Sequence, residues 1–242
     1  MTVILTSKID LYDKDKLGNK IPKKIKNINH ILDNIKKNIT KYDNFLYIAS
    51  DETNTNVTDI YANATFESFD MTIPFKKYNI LDIRTENYAK KLIEEADLIF
   101  LCGGHLPTQN KFFNKINLKE VIKKSKALII GVSAGSMNSA INVYSIPELK
   151  GESIDPNFEK NLPGLGLTNI NILPHYSDFL DYSIDNKDFI REIIIPESYN
   201  RKIYAINDDS YFIVEKNHTH LYGEAFIIEN GIIKKIIQTD IS

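Results

Sequence analysis

A serine held between two glycines is the residue of this chain whose setting is most typical of catalysis. The segment Gly131-Val132-Ser133-Ala134-Gly135 directly follows the apolar residues 127–130 and precedes a predicted helix. A Gly-x-Ser-x-Gly turn of this kind is tight, and it presents the serine hydroxyl at a helix N-terminus, where backbone N–H groups stabilise negative charge. Ser133 is therefore a candidate nucleophile, and the N–H of Ala134 is a candidate oxyanion donor. The same pattern also fits a helix-capping serine without a catalytic role.

A glycine pair follows a second apolar run. Cys102-Gly103-Gly104-His105 comes directly after residues 97–101. Adjacent glycines leave their N–H groups unshielded and permit positive φ, so the N–H of Gly104 is a second candidate oxyanion donor. We expect Gly103, His105 and Gln109 to line the same mouth and to contact a substrate, although a simple tight turn would have the same sequence.

A histidine at the end of a predicted strand is the candidate general base. His175 lies in Leu173-Pro174-His175-Tyr176, after an apolar run that begins at residue 169. The ordinary pKa of histidine lies near neutrality, and a strand end holds the ring rigidly, which are the two properties that a general base needs.

Strand and helix patterns alternate through the first two thirds of the chain. Short apolar runs at residues 45–49, 79–83, 98–102 and 128–132 predict buried strands, and residues 25–40, 58–71, 87–95 and 110–124 have helical spacing. This alternation predicts a three-layer α/β/α fold with a mostly parallel sheet, in which sites form at the carboxyl ends of the strands. Gly103 and Ser133 both fall at such ends.

The last third has shorter apolar runs separated by turn residues. They lie at 203–206, 211–214, 219–222, 225–228 and 232–238, and Asn230-Gly231 is a strong hairpin signal. We expect a β-meander that closes the sheet, and a single domain over residues 1–242.

Composition narrows the class of protein. The chain has 242 residues, 43% of them hydrophobic, with 30 Lys+Arg against 32 Asp+Glu, so a nucleic-acid partner is not expected. A single cysteine, Cys102, cannot form an internal disulfide, and neither a leader peptide nor a membrane-spanning run is evident, so we predict a cytoplasmic protein that does not bind membranes. No cofactor motif is found, and His218-x-His220 alone is weak evidence for a metal, so we predict neither.

The three motifs together resemble peptidase family S51, which includes dipeptidase E and cyanophycinase and has a class I glutamine amidotransferase-like fold. The resemblance runs from about Phe45 to Ile206. It implies a Ser–His–acid serine peptidase in which Ser133 is the nucleophile and His175 the base, with Gly104 and Ala134 as oxyanion donors. It also implies a small peptide substrate, and a homodimer is plausible.

The resemblance places the third catalytic residue between the serine and the histidine, some fifteen to twenty residues past the serine. That window contains Glu148 and Glu152, with Asp155 just beyond it, and we favour Glu148 by spacing. Relatives of dipeptidase E typically have asparagine where this chain has His105. No arginine that could hold an aspartate side chain is found at residues 141–146, which argues against strict aspartyl specificity.

Two other interpretations stay open at this point. An α/β-hydrolase-type esterase would also have the serine turn, and its histidine would be His218 or His220 near the chain end. The chain could also be a catalytically inactive member of the same fold that binds a ligand. The favoured prediction is a dipeptidase-like serine peptidase.

Overall fold

The computed structural model describes residues 1–216 and 218–241. Its strands are β1 (Thr2–Thr6), β2 (Tyr12–Lys14), β3 (Lys20–Pro22), β4 (Asn44–Ile48), β5 (Lys77–Leu81), β6 (Leu98–Leu101), β7 (Leu128–Val132), β8 (Asn142–Tyr144), β9 (Asn161–Pro163), β10 (Asn171–Leu173), β11 (Ser183–Ile184), β12 (Lys187–Asp188), β13 (Ile203–Ile206), β14 (Tyr211–Glu215), β15 (His218–Tyr222), β16 (Glu224–Glu229), β17 (Ile232–Ile237) and β18 (Asp240–Ile241). Its α-helices are α1 (Ile31–Asn38), α2 (Thr55–Asp70), α3 (Ala89–Glu95), α4 (Leu106–Lys115), α5 (Leu118–Ile122), α6 (Ala134–Met137), α7 (Tyr176–Phe179) and α8 (Ile195–Glu197), with 3-10 turns at Ile28–His30 and Glu86–Tyr88 and a π-helical turn at Phe189–Ile194.

The largest sheet has eight strands in the order β18-β15-β14-β1-β7-β6-β4-β5. The neighbouring strands β1, β7, β6, β4 and β5 all pair in parallel. Beyond β1, the strands β14, β15 and β18 extend the sheet with antiparallel pairs. The predicted α/β fold with a large, mostly parallel sheet is confirmed.

Alternating side chains of the parallel strands supply two separate cores, as the two-residue period of a strand requires. Leu46 and Ile48 of β4 belong to one core, which α3, α4 and α5 cover. Phe45 and Tyr47 belong to the other core, which α1 and α2 cover. The sheet therefore lies between two helical layers, because both of its faces are apolar and each must be buried.

The structure differs from the predicted elements in two places, one strand and one helix. The first residues of the chain form β1, a fully internal strand of the sheet that the sequence interpretation did not include. The helix predicted over 110–124 is two helices, α4 and α5, because Asn117 between them adopts a left-handed φ of 51°.

The C-terminal strands do not form one meander that closes the sheet. They divide: β14, β15 and β18 join the large sheet, whereas β13, β16 and β17 form a second sheet with β10, in the order β10-β13-β16-β17. The hairpin predicted at Asn230-Gly231 is confirmed, because β16 and β17 pair across it and both turn residues have positive φ. Within the second sheet, β10 and β13 are parallel neighbours.

The strand order collects several chain segments at one edge. Parallel β1 and β7 end at Thr6 and Val132, and parallel β10 and β13 end at Leu173 and Ile206. Tyr211, at the start of β14, pairs with Thr6, so the loop between β13 and β14 lies beside the carboxyl end of β1. No helix among the described residues is long and apolar enough to cross a membrane.

Candidate active site

The serine turn has the sharp geometry that its sequence predicts. Ser133 lies between β7 and α6 with φ of 51° and ψ of −114°, a strained conformation for a residue with a side chain. A β-carbon at Gly135 would overlap the carbonyl of Leu101, and one at Gly131 would come within 2.9 Å of the Gly135 backbone. The two glycines are therefore required because α6 packs directly against β6 and β7.

The structure brings His175 to Ser133. Nε2 of the imidazole lies 3.2 Å from Oγ of the serine. His175 follows β10 in a left-handed conformation with φ of 54°, which turns the chain into α7 and directs the ring toward the end of β7. The predicted pairing of these two residues is thus present in the geometry, although they come from different sheets.

The carboxylate on the other side of the imidazole belongs to Asp208, which the sequence interpretation did not include. His175 Nδ1 lies 2.9 Å from Asp208 Oδ1, and Lys8 Nζ lies 3.3 Å from the other carboxylate oxygen. Partial burial tends to raise the pKa of Asp208, but the hydrogen bonds from His175 and Ser7 and the nearby positive charges outweigh it and lower the pKa to about 2. Asp208 is therefore ionised at neutral pH and can only accept, so neutral His175 carries its proton on Nδ1.

Ser7 is a second unanticipated member of this cluster. Its fully buried hydroxyl donates to Asp208 Oδ1 at 2.9 Å, accepts from the backbone N–H of His175 at 2.8 Å, and lies 3.2 Å from His175 Nδ1. One side chain thus fixes both the backbone of the histidine and the carboxylate of Asp208.

Glu148 and Glu152, the predicted acids, lie on a neighbouring loop and form no hydrogen bond to His175. Glu148 Oε2 accepts from the backbone N–H of Leu106 at 2.9 Å, and burial, the largest influence, raises its pKa. Glu152 Oε1 lies 2.9 Å from Nε2 of His105, and Oε2 accepts from the N–H groups of Glu148 and Leu149. The structure thus corrects the expected pairing, since both glutamates hold the loop after β8 against the start of α4 and Asp208 has the place beside the imidazole.

The two candidate oxyanion donors belong to segments that meet at Ser133: Ala134 follows it in the chain, and Gly104 lines the same cavity as Ser133. Ala134 is the first residue of α6, and its N–H has no acceptor within the helix. Gly104 follows β6 with φ of 153°, and a β-carbon there would overlap the side chain of Ser50. Because α6 has only four residues, its contribution to an anion would come from local N–H groups rather than from a long helix dipole.

The predicted substrate contacts separate into two groups. Gly103 lines the cavity beside Ser133, and a β-carbon on it would lie 3.3 Å from Ser133 Cβ. His105 turns away from that cavity to Thr108 and Glu152. Gln109 is fully buried and joins the Cys102 carbonyl to Asn138, so in this structure it supports the loop after β6 and cannot reach a substrate.

The histidines that an esterase interpretation would use lie elsewhere. His218 and His220 are on β15, in the antiparallel extension of the large sheet, and His220 Nδ1 lies 2.7 Å from Asp240. The ring beside Ser133 is that of His175. The position of His218 and His220 near the chain end therefore no longer favours an α/β-hydrolase arrangement.

A polar residue at the carboxyl end of a strand was the signal that could have found both missed residues. Ser7 directly follows β1 by one position, and Asp208 follows β13 by two. His175 and Asp208 leave the adjacent parallel strands β10 and β13, as Ser7 and Ser133 leave β1 and β7. The prediction of an antiparallel meander for the C-terminal third did not include the parallel pairing of β10 with β13.

Comparisons with known proteins identify the fold and the family of this chain. A crystal structure of a protein given as a candidate peptidase E from Listeria monocytogenes EGD-e superimposes with a TM-score of 0.59 at 18% identity, covering 91% of this chain and 96% of that one, which shows a shared fold. No match was found among curated proteins. The sequence model of peptidase family S51 matches residues 18–222, and the chain therefore belongs to peptidase family S51.

Proposed function

We propose that the protein is a serine peptidase that hydrolyses short peptides, with Ser133 as nucleophile, His175 as general base and Asp208 as the third member of the triad. The observation that carries the proposal is the continuous hydrogen-bonded chain from Ser133 Oγ through the imidazole to Asp208 Oδ1, with distances of 3.2 Å and 2.9 Å. These three groups, in this order, are the arrangement that activates a serine hydroxyl.

The proposed reaction begins with attack of Ser133 Oγ on the scissile carbonyl carbon. The hydroxyl proton moves to Nε2 of His175, and the imidazolium that forms is stabilised by ionised Asp208. The N–H groups of Gly104 and Ala134 donate to the oxyanion of the tetrahedral intermediate. His175 then passes its proton to the leaving amine as the C–N bond breaks, and water, deprotonated by His175, hydrolyses the acyl-enzyme.

The size of the site favours small substrates. The cavity that reaches Ser133 and His175 has a volume of about 420 Å³ and is bordered by loops after several strands. This volume is within the range of sites for small molecules. A dipeptide or the end of a short peptide would fill it.

Two measurements on purified protein test the proposal. A fluorophosphonate probe should label the wild type on Ser133, and a panel of dipeptides should be hydrolysed. Ser133→Ala should lose both properties. Ser177→Ala is the matched control, because Ser177 is an exposed serine on α7, and it should retain both. A wild type that neither reacts with the probe nor cleaves any dipeptide would contradict the proposal and favour an inactive, ligand-binding member of the family.

A further inference from the structure

We propose that the cavity beside Ser133 is the pocket for the side chain of the acyl residue, and that it selects an uncharged aromatic or long aliphatic side chain. The substrates would then be short peptides whose scissile bond follows a residue such as phenylalanine, leucine or methionine. This inference rests on the proposed peptidase function and adds to it the class of substrate.

The walls of the cavity are mostly apolar. Tyr47 and Phe100, on neighbouring strands β4 and β6, stack with ring centres 5.6 Å apart and form one wall with buried Cys102. Buried Leu11 contributes from the loop after β1, and Tyr61 from α2 completes the mouth. A side chain that enters this space contacts carbon atoms on several sides, which favours apolar groups over charged ones.

The charges around the cavity oppose an acidic side chain. Of the described residues that line it, the acidic and basic ones besides His175 are Lys8 and Asp51, and none is an arginine. Lys8 is already paired with Asp208. Hydrogen bonding from Thr53, the largest influence, lowers the pKa of Asp51, so its carboxylate is ionised and would repel a second carboxylate.

Two further polar features do not reverse this balance. Lys20 lies with its Nζ over the rings of Tyr12 and Tyr61 at 4.5 Å and 4.4 Å but does not line the cavity. Burial, the largest influence, raises the pKa of Tyr12 to about 12, so this phenol is neutral and can only hydrogen-bond.

The strand order assigns the cavity to the acyl side of the scissile bond. Its aromatic walls come from β4, β6 and α2, whereas the cavity is bordered on the other side by His175 and by the loop after β1. His175, which would protonate the leaving amine, follows β10 of the second sheet, and its partner Asp208 lies beside the end of β1. Because the leaving amine must lie within reach of His175, it takes the His175 end of the cavity, and the acyl side chain extends toward the aromatic end formed by Tyr47 and Phe100.

The direct test compares two dipeptide series at equal concentration. With alanine as the amine residue, Phe-Ala, Leu-Ala and Met-Ala should exceed Ala-Ala in kcat/KM by about 10- to 100-fold, the effect of burying one large apolar side chain. Asp-Ala should fall below Ala-Ala. The reversed series Ala-Phe, Ala-Leu and Ala-Asp should vary far less. A preference for Asp-Ala, or a stronger dependence in the reversed series, would overturn the assignment while leaving the peptidase function intact.

A charge placed at the mouth should shift the preference. Val57 is a cavity-lining residue of α2 that is 45% exposed, so Val57→Arg should fold and raise kcat/KM for Asp-Ala about 3- to 10-fold relative to Ala-Ala. Ile60, also exposed on α2 but outside the cavity, provides the matched control Ile60→Arg, which should leave the ratio unchanged. Equal ratios in both variants would contradict the proposed position of the acyl side chain.

A binding measurement separates the pocket from catalysis. Calorimetric titration of Ser133→Ala protein should give tighter binding of Phe-Ala than of Asp-Ala, by about 10-fold or more, even if no peptide is cleaved by the wild type. If the wild type hydrolyses no peptide but Ser133→Ala shows this binding preference, the peptidase function alone is refuted. Equal affinities, or a preference for Asp-Ala, would refute the pocket assignment.

Discussion

Replacing Asp208 by asparagine tests which acid orients the imidazole. The ionised carboxylate of Asp208 accepts a hydrogen bond from Nδ1–H of His175 at 2.9 Å. This leaves Nε2 of the same ring free to accept the hydroxyl proton of Ser133. An asparagine has nearly the same shape but can present an amide N–H to Nδ1. The ring then carries its proton on Nε2, where it faces Ser133 and cannot act as a base.

The expected loss follows from the number of contacts that change. The substitution reverses the histidine tautomer and removes the negative charge that stabilises the imidazolium. For a triad with this geometry the combined effect is a fall in kcat of about 10³- to 10⁴-fold, equivalent to roughly 4 to 5.5 kcal/mol of transition-state stabilisation. KM should change little, because Asp208 does not contact the bound peptide in the proposed reaction.

Glu148→Gln is the matched control. Its carboxylate accepts from the backbone N–H of Leu106, and a glutamine oxygen can accept the same hydrogen bond. We therefore expect a fall in kcat/KM of less than about 10-fold. Steady-state kinetics with one dipeptide, together with thermal melting to verify folding, compares the two variants directly.

The opposite ranking would refute the reasoning. If Glu148→Gln abolished activity and Asp208→Asn stayed within about 10-fold of the wild type, the third catalytic residue would be Glu148, as its spacing from Ser133 suggests. The hydrogen bonds of Asp208 would then serve only the stability of the loop.

Three further predictions concern Ser7, Asp208 and Gly135. Ser7→Ala should lower kcat about 10- to 100-fold with little change in KM, because the Ser7 hydroxyl, although it borders the cavity, is bonded to His175 and Asp208. An effect confined to KM would count against this positioning role. The pKa of Asp208 is lowered on folding, so its ionisation stabilises the protein above about pH 4, and this contribution is lost as pH falls toward 2. Because the side chain is 35% exposed, screening reduces the contribution to about 1 kcal/mol. In urea denaturation, the free energy of unfolding of Asp208→Asn should therefore fall less steeply with decreasing pH than that of the wild type. Gly135→Ala should destabilise the protein by about 3 kcal/mol, measured by the same denaturation, because its new methyl group would overlap the Leu101 carbonyl; an unchanged midpoint would show that α6 can move away from β6.

The sequence was sufficient for the features that depend on local chemistry. Gly131 and Gly135 flank Ser133 because no side chain fits where α6 meets the sheet, and this requirement is visible in five consecutive residues. The alternation of apolar runs with amphipathic segments predicted the parallel strands and their helical layers, since each element must bury its own apolar face. Family membership followed from motifs that are local as well.

Pairings between distant segments could not be obtained in the same way. The first residues of the chain carry no mark that distinguishes an internal strand from an edge strand, yet β1 lies between β7 and β14 and delivers Ser7 to the site. The C-terminal apolar runs resemble a meander, but β13 pairs in parallel with β10.

The identity of the carboxylate beside His175 was decided by tertiary structure alone. Glu148 is close to Ser133 along the chain, and Asp208 is far from it, so spacing favoured the glutamate. Hydrogen bonding depends on the distance between atoms, and the parallel pairing of β10 with β13 places Asp208 Oδ1 2.9 Å from the imidazole while Glu148 binds the N–H of Leu106. The sequence shows which carboxylates could accept a hydrogen bond from the imidazole, but strand pairing determines which of them lies within hydrogen-bond distance of it.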